Sequence, residues 1–206
     1  PNCSSAASDV YKRQTHDNAE KVWNQVLKDG EEFGLMVIAP AHHRRIAAGI
    51  LSWGQDLDHE SSPFQVNLSY QVPRNKEADY IGKEELERQR SLIDKDEAPF
   101  EMKMVGITLG GKEITDYAPD FWLITDMDKN EVGYVTSPWW SPELETNIAL
   151  AWVPWSSSEV GTKFQVKLPD EYSVSPGAPV DAEVVDLQFR ESVNPNKREV
   201  QSAKGL

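Results

Sequence analysis

Six short apolar segments in the second half of the chain constrain its fold more than any other feature of the sequence. The segments cover residues 102–109, 121–125, 133–137, 147–152, 162–168 and 180–189. Turn signals separate them, among them Gly110-Gly111, Ser141-Pro142 and Pro176-Gly177, where glycine and proline favour a reversal of the chain. Strands of this length at roughly regular spacing are typical of a small antiparallel barrel or a jelly-roll-like domain.

The first half of the chain predicts helices together with short apolar segments. Its predicted elements are a helix over 17–27 ended by Gly30 or Gly34, a buried strand or apolar connector over 35–39, a helix over 45–53 ended by Gly54, a strand over 66–72 and a helix over 82–92. Asp17 and Glu20 form a capping-box pattern at the start of the first helix. Two ion pairs at helical spacing, Glu84–Arg88 and Glu87–Arg90, are expected on the last helix. The sequence as a whole predicts an α+β fold class.

The charge of the chain argues against two classes of partner. Its formal net charge is −13 and its pI is about 4.7, so phosphate backbones and anionic lipid surfaces are repelled. No apolar run approaches the roughly 20 residues that span a bilayer. The only cysteine, Cys3, cannot form a disulfide within the chain. We therefore expect a cytoplasmic protein that binds neither nucleic acid nor membrane.

Composition also divides the chain into segments. Residues 1–14 show no periodicity and resemble translated adaptor sequence, which indicates a disordered or foreign tail ahead of a piece of a longer protein. The acidic segment 94–99 ends in Ala-Pro and is the best linker candidate. The predicted domains are therefore residues 15–96 and 97–192, and residues 193–206 are expected to form a frayed tail.

Two residues of the predicted helix over 45–53 indicate a type of ligand. Arg45 and Trp53 would lie about two turns apart, so a cation and an aromatic plane would reach the same loop edge. The planar guanidinium of arginine binds a carboxylate through two parallel hydrogen bonds. The pair therefore suits a flat, anionic, aromatic ligand. The acidic segment 56–60 lacks the ligand spacing of a metal loop and is interpreted as a solvated turn.

Three stretches of the sequence resemble one protein family. Residues 45–58 with 62–70 are similar to the motifs R-x-E-A-G-x-x-x-Y-G-x-[ED]-[ML] and N/T-P-x-E-x-G-L-x-W of the glycine-cleavage T-protein (aminomethyltransferase) family. Residues 133–151 resemble its G-x-[IV]-T-S-x-x-x-SP-x-x-x-x-x-IALA, and residues 82–86 resemble its F-[IV]-G-K-E-A-L. The dimethylsulfoniopropionate demethylases belong to the same tetrahydrofolate-dependent group, and the stretches are at least as near to theirs.

The resemblance implies a fold, a cofactor and an activity. Residues 15–96 would be the C-terminal part of a truncated mixed α/β folate-binding domain, and residues 97–192 would be the family's C-terminal β-barrel. The chain would then be the C-terminal fragment of a transferase that moves a methyl or methylene unit from a donor to N5 of tetrahydrofolate. The family's catalytic aspartate lies upstream of this segment. We therefore expect the fragment to be inactive alone and to bind folate weakly or not at all.

The resemblance also assigns cofactor-binding residues. Arg45 would line the folate cleft, and Trp53 would lie against the pterin or benzoyl ring, where the family usually has Tyr. Ser52 is included as the neighbour of Trp53. Arg190, which follows the last predicted strand, resembles the family's P-F-[YF]-[DR] ending and would reach the cleft from the barrel. No catalytic residue and no metal ligand is assigned within this chain.

The one-carbon donor stays open. A small-molecule donor would be a methylated sulfonium or an N-methyl amine, whereas a glycine-cleavage member takes a lipoyl-bound aminomethyl group from a lipoyl carrier protein. Ala47 stands where the family commonly has Glu, and this departure together with Trp53 favours a demethylase modestly. A different hypothesis is a non-catalytic barrel module whose tryptophan-rich strands bind a partner protein.

Overall fold

The structure is a computed structural model in which residues 16–37, 41–74, 76–118, 120–187 and 189 are described. The chain forms two compact units, residues 1–40 and residues 41–206. The predicted domains, residues 15–96 and 97–192, have boundaries that differ from those of the two units. They stay a prediction, because one compact unit can contain parts of two domains.

The described residues of the first unit, 16–37, form an amphipathic helix, α1 (His16–Gly30), followed by a 3₁₀ turn over Glu31–Phe33. The predicted helix over 17–27 is confirmed, and of the two predicted stops Gly30 is the last helical residue. No residue of α1 is buried, so its apolar stripe is exposed. Of the two alternatives for residues 35–39, the buried strand is wrong for residues 35–37, which are exposed and form no strand, so these three residues are an apolar connector. Residues 38 and 39 lie outside the described part of the chain.

Six antiparallel strands close into a barrel and form the core of the second unit. They are β1 (Met102–Leu109), β2 (Trp122–Thr125), β3 (Glu131–Ser141), β4 (Thr146–Pro154), β5 (Lys163–Val166) and β6 (Val180–Val185). Their order around the barrel is β1-β4-β3-β2-β5-β6, and all neighbouring pairs are antiparallel. Each of the six segments predicted as strands in the second half of the chain overlaps one of them. The small antiparallel barrel and the α+β fold class are therefore confirmed.

Apolar side chains fill the barrel and also coat part of its outside. In β4, Ala149 and Ala151 lie in the core inside the barrel, whereas Ile148 and Leu150 belong to a second cluster that includes Ile46. Successive side chains of a strand point to opposite faces. Strand β4 is apolar on both faces because the segment that precedes the barrel covers the outer one.

A short helix, α2 (His42–Ala47), forms part of this outer cover. The predicted helix over 45–53 is wrong in extent, because the chain leaves the helix at Gly49, which has a φ of +66°. The Gly49 N–H donates to the Ile46 carbonyl at 2.9 Å, and the Ile50 N–H donates to the Arg45 carbonyl at 2.8 Å. This double pattern closes helices at a left-handed glycine. The C-terminal cap therefore comes five residues earlier than the predicted Gly54.

The alternating segment 66–72 is compact rather than extended. The strand predicted there is wrong, because the chain turns at Asn67, which has a φ of +59°, and continues into a 3₁₀ turn over Ser69–Gln71. Val66 is buried against the outer face of the barrel, whereas Tyr70 is 76% exposed.

Helix α3 (Lys83–Ile93) confirms the helix predicted over 82–92. Its ion pairs differ from those expected. Arg88 binds Glu85 at 2.7 Å, and Lys83 lies 3.9 Å from Glu87. Both observed pairs stand at the i, i+3 or i, i+4 spacing that brings side chains together on a helix.

Candidate functional site

A buried carboxylate connects the segment before the barrel to the barrel itself. Asp56 is 1% exposed. One of its oxygens accepts hydrogen bonds from Arg45 Nη1 at 2.8 Å and from the Ser52 N–H at 2.7 Å. The other accepts from Thr136 Oγ1 at 2.6 Å and from Ser137 Oγ at 2.5 Å. A buried carboxylate with four donors is fully satisfied, so we refer to these five residues as the Asp56 network.

All hydrogen-bond donors of the Arg45 side chain have acceptors within the protein. Nη1 donates to Asp56 and, at 3.2 Å, to the Ile50 carbonyl. Nη2 donates to Ser137 Oγ at 2.8 Å and to Gln55 Oε1 at 3.4 Å. Nε donates to His42 Nδ1 at 3.4 Å. Arginine has five N–H groups, and each has an acceptor here, so Arg45 fixes the loop after α2.

His42 supports Arg45 from within an aromatic cluster. Its ring stacks on Trp139 at a centroid distance of 5.0 Å and lies 5.5 Å from the ring of Tyr117. Burial lowers the pKa of His42 below its usual value, and the positive charge of Arg45 lowers it further, while Asp56 opposes the shift. Around neutral pH the imidazole is therefore uncharged, which leaves Nδ1 able to accept the hydrogen bond from Arg45 Nε.

The same loop makes two further bonds to the barrel. Trp152 Nε1 of β4 donates to the Asp56 carbonyl at 2.8 Å, and Gln55 Nε2 donates to the Thr136 carbonyl at 2.9 Å. The loop 52–57 is thus held at both its side chains and its backbone. The expectation of a solvated acidic turn is wrong for Asp56.

The loop presents Trp53 to a cleft of about 1230 Å³. Trp53 is 69% exposed and lines the cleft together with Tyr70, while apolar side chains from the loop and from β6 onward form much of the remaining wall. Of the residues that the structure describes along the cleft, only Asp186 carries a charge. The cleft can therefore hold a flat aromatic group against two exposed rings.

The residues assigned from the sequence take different places around this cleft. Trp53 lines it, whereas Arg45 and Ser52 lie in the Asp56 network behind it. Arg190 lies outside the described residues. A contact of these residues with a cofactor stays a prediction. The extended loop after α2, rather than a two-turn helix, is what separates Arg45 from Trp53.

Sequence reasoning missed four residues of the site, namely Asp56, Tyr70, Thr136 and Ser137. All four stand in the family motifs, at the [ED] position, at the final W and at the T-S pair. That match was the signal that could have identified them.

Among the described residues, no group of three or more His, Cys, Asp or Glu side chains could hold a metal ion, and no helix is long and apolar enough to cross a membrane.

Comparison with known proteins gives a consistent match. Residues 102–189 match the family model described as the glycine cleavage T-protein C-terminal barrel domain. The fold is similar to that of a solved structure, the glycine cleavage system aminomethyltransferase T from Bartonella henselae, with a TM-score of 0.58 and 22% identity over 73% of this chain and 38% of that one.

Curated relatives point the same way. Aminomethyltransferases from Listeria monocytogenes serotype 4b (strain F2365) and Pseudothermotoga lettingae are 34% and 31% identical. The matches cover 72% and 84% of this chain, and 38% and 43% of the relatives. The chain therefore spans about two-fifths of the length of the curated relatives that it matches.

The fold and these matches define a class, the barrel domains that occur in aminomethyltransferases. The chain carries a C-terminal glycine cleavage T-protein domain, as its sequence motifs predict.

Proposed function

We propose that this chain supplies the C-terminal part of a tetrahydrofolate-dependent one-carbon transferase, in which its cleft forms one wall of the cofactor site. The observation that carries the proposal is the Asp56 network. It joins residues of two separate family motifs and thereby fixes the loop that presents Trp53.

The residues of the cleft fit the aromatic part of a folate. The exposed faces of Trp53 and Tyr70 can pack against a pterin or benzoyl ring, and the apolar wall can exclude water from it. When bound, tetrahydrofolate supplies N5, the atom that accepts the one-carbon unit. The part played by this chain is to orient the cofactor, and orientation is a large source of rate enhancement in enzymes.

The donor is the finer part of the proposal. The matched relatives carry the name aminomethyltransferase, which supports an aminomethyl donor delivered by a lipoyl carrier protein. Ala47 is buried against Ile148 and Leu150, so the carboxylate that the family commonly has at this place is absent. That absence favours a small-molecule methyl donor, such as a sulfonium or an N-methyl amine.

An activity assay tests the proposal. The coding region would be cloned together with the sequence upstream of Pro1, and the product would be incubated with tetrahydrofolate and each of the three donor types. We expect one donor to yield 5-methyltetrahydrofolate or 5,10-methylenetetrahydrofolate. Absence of both products with every donor would contradict the proposal and favour the non-catalytic barrel module.

The chain itself provides a second check. Because it contributes only one wall of the cofactor site, we expect calorimetry on the 206-residue chain to show no micromolar affinity for tetrahydrofolate. Micromolar binding would show that the site is complete within these residues.

A further inference from the structure

A second, smaller pocket of about 200 Å³ lies beside the cleft and shares Asn67 with it. Leu68 and Tyr70 line the cleft, whereas Ser69 lines the second pocket. The segment 67–70 is therefore the ridge between the two.

The second pocket concentrates positive charge in a chain whose net charge is −13. Its charged lining residues are Arg74, Arg90, Lys103 and Asp94, and we call it the basic pocket. Arg74 binds Asp94 through two hydrogen bonds, at 2.9 and 2.8 Å. This pair is neutral overall, so the pocket retains the charges of Arg90 and Lys103.

Both remaining cations are half-buried and held against aromatic rings. Lys103 Nζ lies 4.9 Å from the centre of the Trp155 ring, and the Arg90 guanidinium lies 5.1 Å from that of Phe64. Arg90 donates to the Val72 carbonyl at 2.5 Å. Neither Arg90 nor Lys103 forms an ion pair within the part of the chain that the structure describes. Cations positioned in this way are available to an anion.

The cleft and the basic pocket have complementary chemistry. The described lining of the cleft offers aromatic rings but no cation, and Arg45 has no N–H group left for a ligand. An anionic group attached to an aromatic ligand in the cleft therefore needs another partner.

We infer that the basic pocket binds the carboxylates at the far end of the ligand whose aromatic part lies in the cleft, through Arg90 and Lys103. This inference rests on the proposed function and deepens it. For a folate, the carboxylates would be those of the glutamate that follows the aminobenzoyl ring. The pocket, rather than Arg45, would then anchor the charged end of the cofactor.

Nuclear magnetic resonance on the ¹⁵N-labelled chain tests the inference. The indole N–H signals of Trp53 and Trp155 report on the cleft and on the basic pocket. Three probes would be titrated, namely 4-aminobenzoylglutamate, neutral 4-aminobenzamide and glutarate. We expect the first probe to shift both signals, the amide to shift only that of Trp53, and glutarate to shift only that of Trp155.

Charge removal completes the test. Lys103→Gln is expected to weaken binding of 4-aminobenzoylglutamate about tenfold, the effect of losing one charge-assisted contact, and to leave binding of the amide unchanged. Lys167→Gln, at an exposed lysine outside the linings of both pockets, is the control and should change neither. Lys103→Arg should restore most of the affinity. The comparison of charged and neutral probes on the unaltered chain holds even if a variant fails to fold.

The outcomes separate the inference from the proposed function. If 4-aminobenzoylglutamate shifts Trp53 alone and Lys103→Gln has no effect, the inference is overturned and the proposed function stands. If glutarate shifts Trp155 but neither aromatic probe shifts Trp53, the pocket binds anions without an aromatic group in the cleft, and the inference that it anchors a ligand of the cleft is overturned. If no probe shifts either signal, the inference is overturned, whereas the proposed function, which expects this chain alone to bind folate weakly or not at all, stands and is tested by the activity assay.

Discussion

Removing the Asp56 carboxylate should destabilise the second unit strongly. Asp56→Ala leaves Arg45 without its ion-pair partner and the Ser137 hydroxyl without its acceptor, while the Thr136 hydroxyl keeps only the Leu150 carbonyl at 3.2 Å. Breaking a buried ion pair by removing one partner costs about 3–5 kcal/mol. The Arg45 side chain keeps 18% exposure, so we expect a loss near the lower end, about 3 kcal/mol.

Thermal unfolding followed by circular dichroism measures this loss. For a domain of this size each kcal/mol lowers Tm by roughly 2–4 °C, so we expect a drop of about 6–12 °C. Asp56→Asn should fall between Asp56→Ala and the parent, because the amide oxygen can still accept from Arg45. The control is Asp58→Asn, whose exposed side chain bonds only within its own loop. If Asp56→Ala melts within about 2 °C of the parent, the network does not hold the loop to the barrel.

Two other predictions concern backbone strain and pH. Gly49→Ala should cost about 1–2 kcal/mol, since its φ is +66° and a Cβ would lie 3.2 Å from a backbone carbonyl oxygen. Gly54→Ala, with a φ of +81° and open space around it, should cost less in the same melting experiment. Hydrogen bonds from Arg88 and then Gln89 lower the pKa of Glu85 to about 2. The stabilisation that the ionised Glu85 carboxylate gives to the fold is therefore present above the unfolded-state pKa of Glu85. It is lost as pH falls through about 2, the pKa in the folded state. Arg88→Gln should raise the Glu85 midpoint in a carboxyl NMR titration, and an unchanged midpoint would contradict the assigned cause.

The barrel could be predicted from the sequence because its causes are local. Short apolar segments and the turn residues between them act over a few residues, as at 126–130 between β2 and β3 and at Ser141-Pro142 at the end of β3. The helix over 45–53 was misjudged for a different reason. Gly49 and Gly54 both take a positive φ, so either suits a helix cap, and neither residue type nor apolar spacing indicates that the helix ends at the first of them.

The site could be predicted only in part. The exposed Trp53 followed from its motif, whereas the burial of Asp56 depends on hydroxyls 80 and 81 residues away. The family motif marks the position of Asp56, but no apolar periodicity around it distinguishes this buried carboxylate from the exposed acids that follow it. The segment 66–72 shows a related limit. Its alternation buries Val66, and the Met104 N–H of β1 donates to the carbonyl of neighbouring Gln65, but the chain turns at Asn67 before a ladder of hydrogen bonds can form.

The central claim is that Trp53, presented by the Asp56 network, forms a wall of the folate site. The most direct measurement is the KM for tetrahydrofolate of the complete protein carrying Trp53→Ala. Loss of one ring contact of about 1–1.5 kcal/mol predicts a KM raised about tenfold with a smaller change in kcat. The control is Phe121→Ala, an exposed aromatic that does not line the cleft, which should leave the KM unchanged. A KM for Trp53→Ala equal to that of the parent would contradict the account.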